Sequence, residues 1–240
     1  DPRTTELRRR IIVEKPFLRR LYREWYDRLW AALPPSDAVA GEVLEIGSGG
    51  GFLQEVHPEV ITSECFPCAG VNRVIDAQAL PFADQSLRGI VMVDVLHHIP
   101  NAEKFLSEVA RCLRGGATLA MVEPWNNRWA RFVWTHFHHE PFLPATAEWN
   151  LNNVAAAGPL SRANSALPWI IFDRDREQFS RRFPALEIAQ IAVDYPFSYL
   201  LSGGVSMRNL MPEFLFRPIR AVERILPNCG LFAMITVRRR

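Results

Sequence analysis

The sequence predicts an α/β fold, a doubly wound sheet of seven strands covered by helices. Three observations carry that expectation. A short apolar strand, Glu42 to Ile46, runs straight into a glycine loop, Gly47-Ser48-Gly49-Gly50-Gly51, and a helical pattern follows from Phe52. Further apolar runs recur downstream and end in carboxylates, at Glu64, Asp76 and Asp94. Between and around them lie amphipathic helical patterns bounded by caps and breakers, as alternating α/β units require.

Taken in order, residues 16–33 place Leu18, Leu21, Tyr22, Trp25, Leu29 and Ala32 on one helical face, and Pro34-Pro35 stops that helix. Val60 to Glu64 reads as the second strand and Asn72 to Ala77 as the third. Gly89 to Val95 is a continuous apolar run, the signature of a strand buried on both faces. A helix over 102–113 is capped by Asn101, buries Ala102, Phe105, Leu106, Val109, Ala110 and Leu113, and ends at Gly115-Gly116. Ala117 to Glu123 forms the fifth strand, and Leu186 to Val193 and Leu231 to Val237 the last two. A helical region near 206–226 is expected to break at Pro212 and Pro218. The chain divides as one domain over 1–240: a helical segment at 1–35, a core at 36–123, an insertion at 124–184, and closing strands with a helix at 185–240.

The spacing of the glycines decides what the loop can bind. A dinucleotide fingerprint G-x-G-x-x-G from Gly47 needs glycine at position 52, where Phe52 stands. That argues against a nicotinamide oxidoreductase. A phosphate-binding P-loop needs a lysine after its glycines, and none is near. What remains is acidic-x-G-x-G-x-G, from Glu45, Gly47, Gly49 and Gly51. With the strand ending at Glu64, Asp76-Ala77, Leu80-Pro81-Phe82 and His97-His98 after the fourth strand, this order resembles class I S-adenosylmethionine-dependent methyltransferases. The similarity is to the group related to quinone-biosynthesis enzymes, and it covers residues 42–123. Leu87-Arg88 departs from the Phe-Asp that many members carry. The Glu64–Asn72 stretch is also too short for a full helix beside the usual loop.

The resemblance implies a Rossmann-like sheet closed by an antiparallel last strand, with S-adenosylmethionine as cofactor and S-adenosylhomocysteine as product. The cofactor's carboxylate suits free N–H groups of the loop, Ser48 included, and the dipole of the helix after Phe52. Glu64 can accept from both ribose hydroxyls, with Cys65 lining the pocket beside it. By resemblance, Asp76 accepts from the adenine amino group while the Ala77 N–H approaches a ring nitrogen. Glu45 lies within its strand and needs a partner if buried, such as loop N–H groups or the cofactor's ammonium. Asp94 joins this cofactor set or satisfies backbone donors. An oxygen acceptor would gain from a general base with a near-neutral pKa, for which His97, His98 and His139 are candidates. The expected activity is methyl transfer to a small or medium organic acceptor at oxygen or carbon. The alternative is a non-catalytic module retaining the fold.

Composition agrees. The 240 residues are 48% hydrophobic, and the net charge of +2 is too balanced for nucleic-acid binding by bulk electrostatics. There is no apolar run of 18 residues, and no signal-peptide core follows the charged start. The chain opens on Asp1, so the numbering is expected to begin inside a longer or processed chain. Four unevenly spaced cysteines suggest no disulfide framework and a reducing cytoplasm. Cys65 and Cys68 alone cannot fill a metal site, and the histidines at 136, 138 and 139 would join them only if the fold brought them together, so no metal is expected.

The insertion at 124–184 is about 60 residues where ordinary connections take a few. It holds Trp125, Trp129, Trp134, Trp149 and Trp169, five of the seven tryptophans, together with His136, His138, His139 and Glu140. It reads either as a second small core or as a lid that orients the acceptor. Near the end, Arg208, Arg217, Arg220 and Arg224 are interspersed with Leu210, Met211, Phe214, Leu215, Phe216, Ile219, Val222 and Ile225. The preferred reading packs this apolar face on the sheet with the arginines solvated. Contact with an anionic membrane surface is the less favoured one.

Overall fold

The computed structural model describes residues 2–152, 162–205, 208, 211–226 and 229–240. Residues 153–161 of the expected insertion, and Leu210, lie outside the described residues. Helices α1 (Pro2–Glu14) and α2 (Pro16–Ala31) open the chain. Pro16 sits in the first turn of α2, where its missing N–H breaks no helical bond. The buried face of α2 carries Phe17, Leu18, Leu21, Tyr22, Trp25, Tyr26 and Leu29. Helix α1 falls in the segment at 1–35 expected to be helical, but the arginine run at 8–10 masks its apolar stripe, in which only Thr5 and Ile12 are buried.

Next come β1 (Glu42–Ile46), α3 (Leu53–Val56), β2 (Ile61–Glu64), β3 (Arg73–Val74) and β4 (Leu87–Val93). A 3₁₀ turn at Leu96–His98 leads to α4 (Ala102–Cys112), β5 (Leu113–Pro124) and α5 (Arg128–Phe137). Then follow α6 (Leu167–Trp169), a π turn at Ile170–Arg174, α7 (Arg176–Arg182), β6 (Leu186–Asp194) and α8 (Ser198–Leu201). A 3₁₀ turn at Glu213–Leu215, α9 (Phe216–Glu223) and β7 (Phe232–Arg239) end the chain.

The seven strands form one sheet in the order β3-β2-β1-β4-β5-β7-β6. The first five in that order run parallel, and β7 lies between β5 and β6 antiparallel to both. The order reverses between β1 and β4, which opens a crevice beyond their carboxyl ends. Alternating side chains feed two cores. Leu44 and Ile46 join the layer with α4, α6 and α7, while Val43 joins the layer with α2 and α5.

Several elements differ from expectation. Strand β3 keeps two residues, because the Asn72 side chain folds back and accepts from the Thr62 N–H (3.0 Å) and hydroxyl (2.9 Å). Helix α3 is a single turn, and Pro58 follows too soon for it to lengthen. A one-turn helix sums too few peptide dipoles to favour an anion at its start, so the expected dipole contribution is withdrawn. Helix α4 passes into β5 at Leu113, ahead of Gly115, and the Asn101 side-chain oxygen Oδ1 caps it by accepting from the Lys104 N–H. Pro218 does not break α9, because it lies in the first turn.

The expected orientation of α9 is also corrected. Arg220 is buried, while Phe214, Val222 and Ile225 are 77%, 54% and 76% exposed. Arg220 binds Glu24 at 2.9 Å and Asp194 at 2.7 Å, and it pairs with Glu223, so a salt-bridge network joins the apolar contact of Phe216 with Phe17 in tying α9 to α2 and β6. No helix among the described residues is long and apolar enough to cross a membrane.

Candidate active site at the strand ends

The glycine loop is shaped by close approach. Gly47 adopts φ +70, and a Cβ there would lie 2.4 Å from the Val95 side chain. Gly49 has no positive φ; its constraint is space, because a Cβ would meet Thr5 at 2.3 Å and Glu64 Oε1 at 2.7 Å. Most of the loop's N–H groups already have partners, contrary to expectation. Ser48 donates to Ser63 O (2.9 Å), Gly49 to Glu64 Oε1 (3.2 Å), Gly51 to Ser48 O (2.7 Å) and Phe52 to the Tyr26 hydroxyl (3.3 Å). The Ser48 hydroxyl stitches β1 to β2, donating to Glu45 O and accepting from the Ser63 N–H.

Above the loop is a cavity of about 540 Å³. Its walls include Gly47, Gly51, Glu45, Glu64, Cys65, Asp76, Ala77, Asp94 and His98. The carboxyl ends of β1, β2 and β4 and the segment after β3 thus converge on one volume, within the range of small-molecule sites. A more open groove of about 880 Å³ lies on the outer side of α2, among Arg19, Arg23 and Asp27, away from the strand ends. Asp76 is exposed, and its Oδ1 accepts from the Gln78 N–H at 2.8 Å, which turns the chain so that Ala77 reaches the wall. Glu64 spans the loop and its own turn, its Oε2 accepting from the Cys65 N–H at 3.1 Å.

Glu45 is the unusual member. It is buried, and its Oε2 has no hydrogen-bond partner. Burial pushes its carboxyl up to about 7, with the Ser48 hydrogen bond opposing and the Glu64 charge adding. Sequence reasoning missed the opposite wall, formed by Thr5, Arg8 and Ile12 of α1 with Tyr22 and Tyr26 of α2. The amphipathic pattern of α2 gave a signal for its two tyrosines; the sparse stripe of α1 did not.

Beyond β4 the site is ionic. Asp94 holds a left-handed backbone (φ 62), an uncommon conformation that Asp tolerates better than most residues. Burial, partly offset by the His97 charge, pushes its carboxyl up to about 6. His97 is fully buried, with Nδ1 2.8 Å from Glu123 Oε2 and Nε2 3.2 Å from Glu140 Oε2. Burial alone would lower its pKa, but the hydrogen bonds to Glu123 and Glu140 and the charge on Asp94 hold it well above the usual value. Glu123 Oε1 also accepts from the Val95 and Leu96 N–H groups, at 2.8 and 2.7 Å. These contacts remove His97 from the candidate bases. Both nitrogens are committed, and the ring is not on the cavity wall.

His98 does line the cavity. Burial, reinforced by the His97 charge, pushes it down to about 3, so the expected near-neutral base is replaced by an imidazole that stays neutral. His139 is 55% exposed, stands outside the cavity wall, and faces Glu140 at 3.6 Å. No described residue of 124–184 lines the cavity. Trp125, Trp134 and Trp149 are instead buried in the two main cores, and Trp129 donates its indole N–H to Pro196 O at 2.9 Å.

A family model described as a methyltransferase domain matches residues 15–201. Among solved structures, the geranyl diphosphate C-methyltransferase of Streptomyces coelicolor A3(2), in complex with Mg²⁺, geranyl diphosphate and S-adenosyl-L-homocysteine, is 14% identical with a TM-score of 0.54. The alignment covers 96% of this chain and 84% of that one. An S-adenosylmethionine-dependent methyltransferase of Thermotoga maritima, described as a possible histamine N-methyltransferase, is 16% identical with a TM-score of 0.54. It covers 99% of this chain and 100% of that one. A methyltransferase in complex with the Trm112 activator of Haloferax volcanii is 14% identical at a TM-score of 0.52, over 97% and 92% of the two chains. At these identities the likeness establishes the fold, and the family match over residues 15–201 establishes the kind of enzyme. The chain belongs to the methyltransferase-domain family, and its fold is that of S-adenosylmethionine-dependent methyltransferases.

Proposed function

We propose that the chain methylates a small or medium organic acceptor at oxygen or carbon, with the cofactor held in the 540 Å³ cavity. The observation that carries this reading is the convergence of Glu45, Gly47, Glu64, Asp76, Ala77 and Asp94 on that one volume. The residues present fit the cofactor. The orphaned Oε2 of Glu45 offers an acceptor for an ammonium, and Glu64 projects from the end of β2 where a ribose diol would lie. Asp76 and Ala77, on the same wall, would hold an adenine edge, and Gly47 lets the loop pass close to Val95 at the cavity wall. When bound, S-adenosylmethionine supplies an electrophilic methyl group on sulfur.

The chain's own residues then align and exclude water. Thr5, Arg8 and Ile12 of α1 cover the cavity, and Asp94 and His98 present polar groups to an acceptor. His98 remains neutral and can accept a hydrogen bond from an acceptor hydroxyl. Alignment of donor and acceptor supplies most of the rate in such a site. The division into a core, an insertion and closing strands within one domain belongs to the same proposal, with residues 124–184 reinforcing both cores.

Calorimetric titration with S-adenosylhomocysteine, followed by transfer of radiolabelled methyl from the donor to fractionated metabolites, tests the reading. Binding together with a labelled product is expected. Absence of cofactor binding by the folded chain would remove the cavity assignment, and binding without any labelled acceptor would favour a non-catalytic module.

A further inference from the structure

We infer that His97, His98 and Glu140 form a binding site for one divalent transition-metal ion of the imidazole-preferring class, Zn²⁺ or Co²⁺. One potential ligand atom from each of these residues lies within 4.8 Å of the others. His97 Nε2 is 3.2 Å from Glu140 Oε2, and His98 Nε2 is 3.5 Å from Glu140 Oε1. Donors bound to a common ion at about 2.0–2.2 Å stand roughly 3–3.5 Å apart. The two measured spacings reach opposite oxygens of the carboxylate and match a sphere in which Glu140 binds through both.

The surroundings match as well. His97 Nδ1 is held at 2.8 Å by Glu123, which is itself fixed by two backbone N–H groups. A carboxylate on the remote nitrogen is the usual way an imidazole ligand is oriented and made more basic. The independent observation is His98, whose Nδ1 is buried with no hydrogen-bond partner. Its Nε2 faces the Glu140 carboxylate at 3.5 Å. With Nδ1 unpartnered, the ring is held in place by no hydrogen bond of its own, and Nε2, the atom that faces Glu140, is the nitrogen available to an ion.

Two more imidazoles approach the same carboxylate. His138 Nδ1 is 4.0 Å and His139 Nε2 3.6 Å from Glu140. Four histidines around one glutamate exceed what a single negative charge requires, whereas they suit an ion that exchanges ligands on entry. His139, 55% exposed, marks the route from solvent. Imidazole with one carboxylate selects against Mg²⁺ and Ca²⁺, which take all-oxygen sets. Entry of the ion displaces to solvent the proton otherwise shared by His97 Nε2 and Glu140 Oε2. This site is read with the metal alone and does not depend on methyl transfer.

The test is titration of the chelator-stripped chain with Co²⁺. One ion per chain with a visible d–d band, displaced by Zn²⁺, is expected. X-ray absorption of the Zn²⁺ adduct should show imidazole scattering and a nitrogen and oxygen shell without sulfur. His98→Ala and Glu140→Gln should each weaken Co²⁺ binding at least 100-fold. Glu140 is not on the cavity wall, so Glu140→Gln should do so with S-adenosylhomocysteine affinity kept, and His136→Ala should bind Co²⁺ as the parent does. Failure of the parent to take up one ion would overturn the site. So would a sulfur shell, which would place the ion at Cys65 and Cys68, or unchanged affinity in both variants. Should either variant fail to fold, the stoichiometry and the ligand shell of the parent still decide.

Discussion

Glu64 and Asp76 carry different burdens although both end a strand segment at the cavity. Glu64 accepts from the Gly49 and Cys65 N–H groups as well as facing the ligand, whereas Asp76 turns only its own segment. Each alanine substitution should weaken S-adenosylhomocysteine binding by roughly 1.5–3 kcal/mol, about ten- to a hundred-fold, with the larger loss at Glu64. Calorimetric titration of both variants checks the order as well as the size. Glu45 yields a pH dependence. Its folded pKa of about 7 stands above the ordinary 4.5, so below 4.5 both states hold the proton and nothing is lost. Between 4.5 and 7 the unfolded chain releases that proton while the folded chain keeps it, and stability falls by about 1.4 kcal/mol per pH unit. Glu45→Gln should flatten this decline in thermal midpoints of the cofactor-free chain. If Oε2 receives the cofactor's ammonium, the same variant should bind S-adenosylhomocysteine more weakly, so stability and affinity move in opposite directions.

Helix α1 is joined to the body by a narrow contact, with two buried residues in 13, yet it covers the loop and lines the cavity through Thr5, Arg8 and Ile12. An element with so little apolar burial opens locally at small cost. S-adenosylhomocysteine should therefore slow amide hydrogen exchange in residues 2–14 more than in α4, whose contacts lie on the other face of the sheet. Equal protection in both helices would show that α1 is not part of the cofactor wall. The segment 124–184 gives the contrary expectation. Trp129→Ala and His139→Ala should leave S-adenosylhomocysteine affinity unchanged, since neither side chain lines the cavity. Trp149→Ala should cost about 3–5 kcal/mol of stability, because its ring is 1% exposed in the core beneath α4 and α7. Thermal midpoint and calorimetric affinity measured together separate these outcomes. A weakened affinity in His139→Ala would restore the lid reading.

At the scale of the whole molecule, Arg220 is the tie between distant parts of the chain. It binds Glu24 of α2, Asp194 of β6 and Glu223 of its own helix, and its guanidinium lies 3.9 Å from the Tyr195 ring centroid. Burial alone would raise the Asp194 carboxyl, but the Arg220 hydrogen bonds and charge hold it below its ordinary value. Removing the guanidinium leaves the buried Glu223 without its counter-charge, while Asp194 keeps Arg28 at 2.8 Å, so Arg220→Ala should destabilise by about 3–5 kcal/mol. Denaturant unfolding measures this. A loss below about 1 kcal/mol would mean that the network contributes no more than an exposed pair does.

The local pattern of residues determined the sheet and its ligand edge. Apolar runs ending in Glu64, Asp76 and Asp94, a glycine loop with its spacing, and the Asn101-capped helix are each written within a dozen residues of sequence. They survive folding because burial and capping act over that range. The antiparallel place of β7 was implied by resemblance alone. Tertiary structure decided what depends on partners far apart in the chain. Glu64 satisfies the loop 15 residues earlier, His97 meets Glu123 and Glu140 across 26 and 43 positions, and Arg220 reaches Glu24 across 196. The same distances explain the corrections. A histidine pair after a strand reads as a base until carboxylates from elsewhere occupy one ring and burial neutralises the other. An arginine in a basic amphipathic run reads as solvated until three acids enclose it. Long-range electrostatics and desolvation set those states, and neither is periodic in sequence.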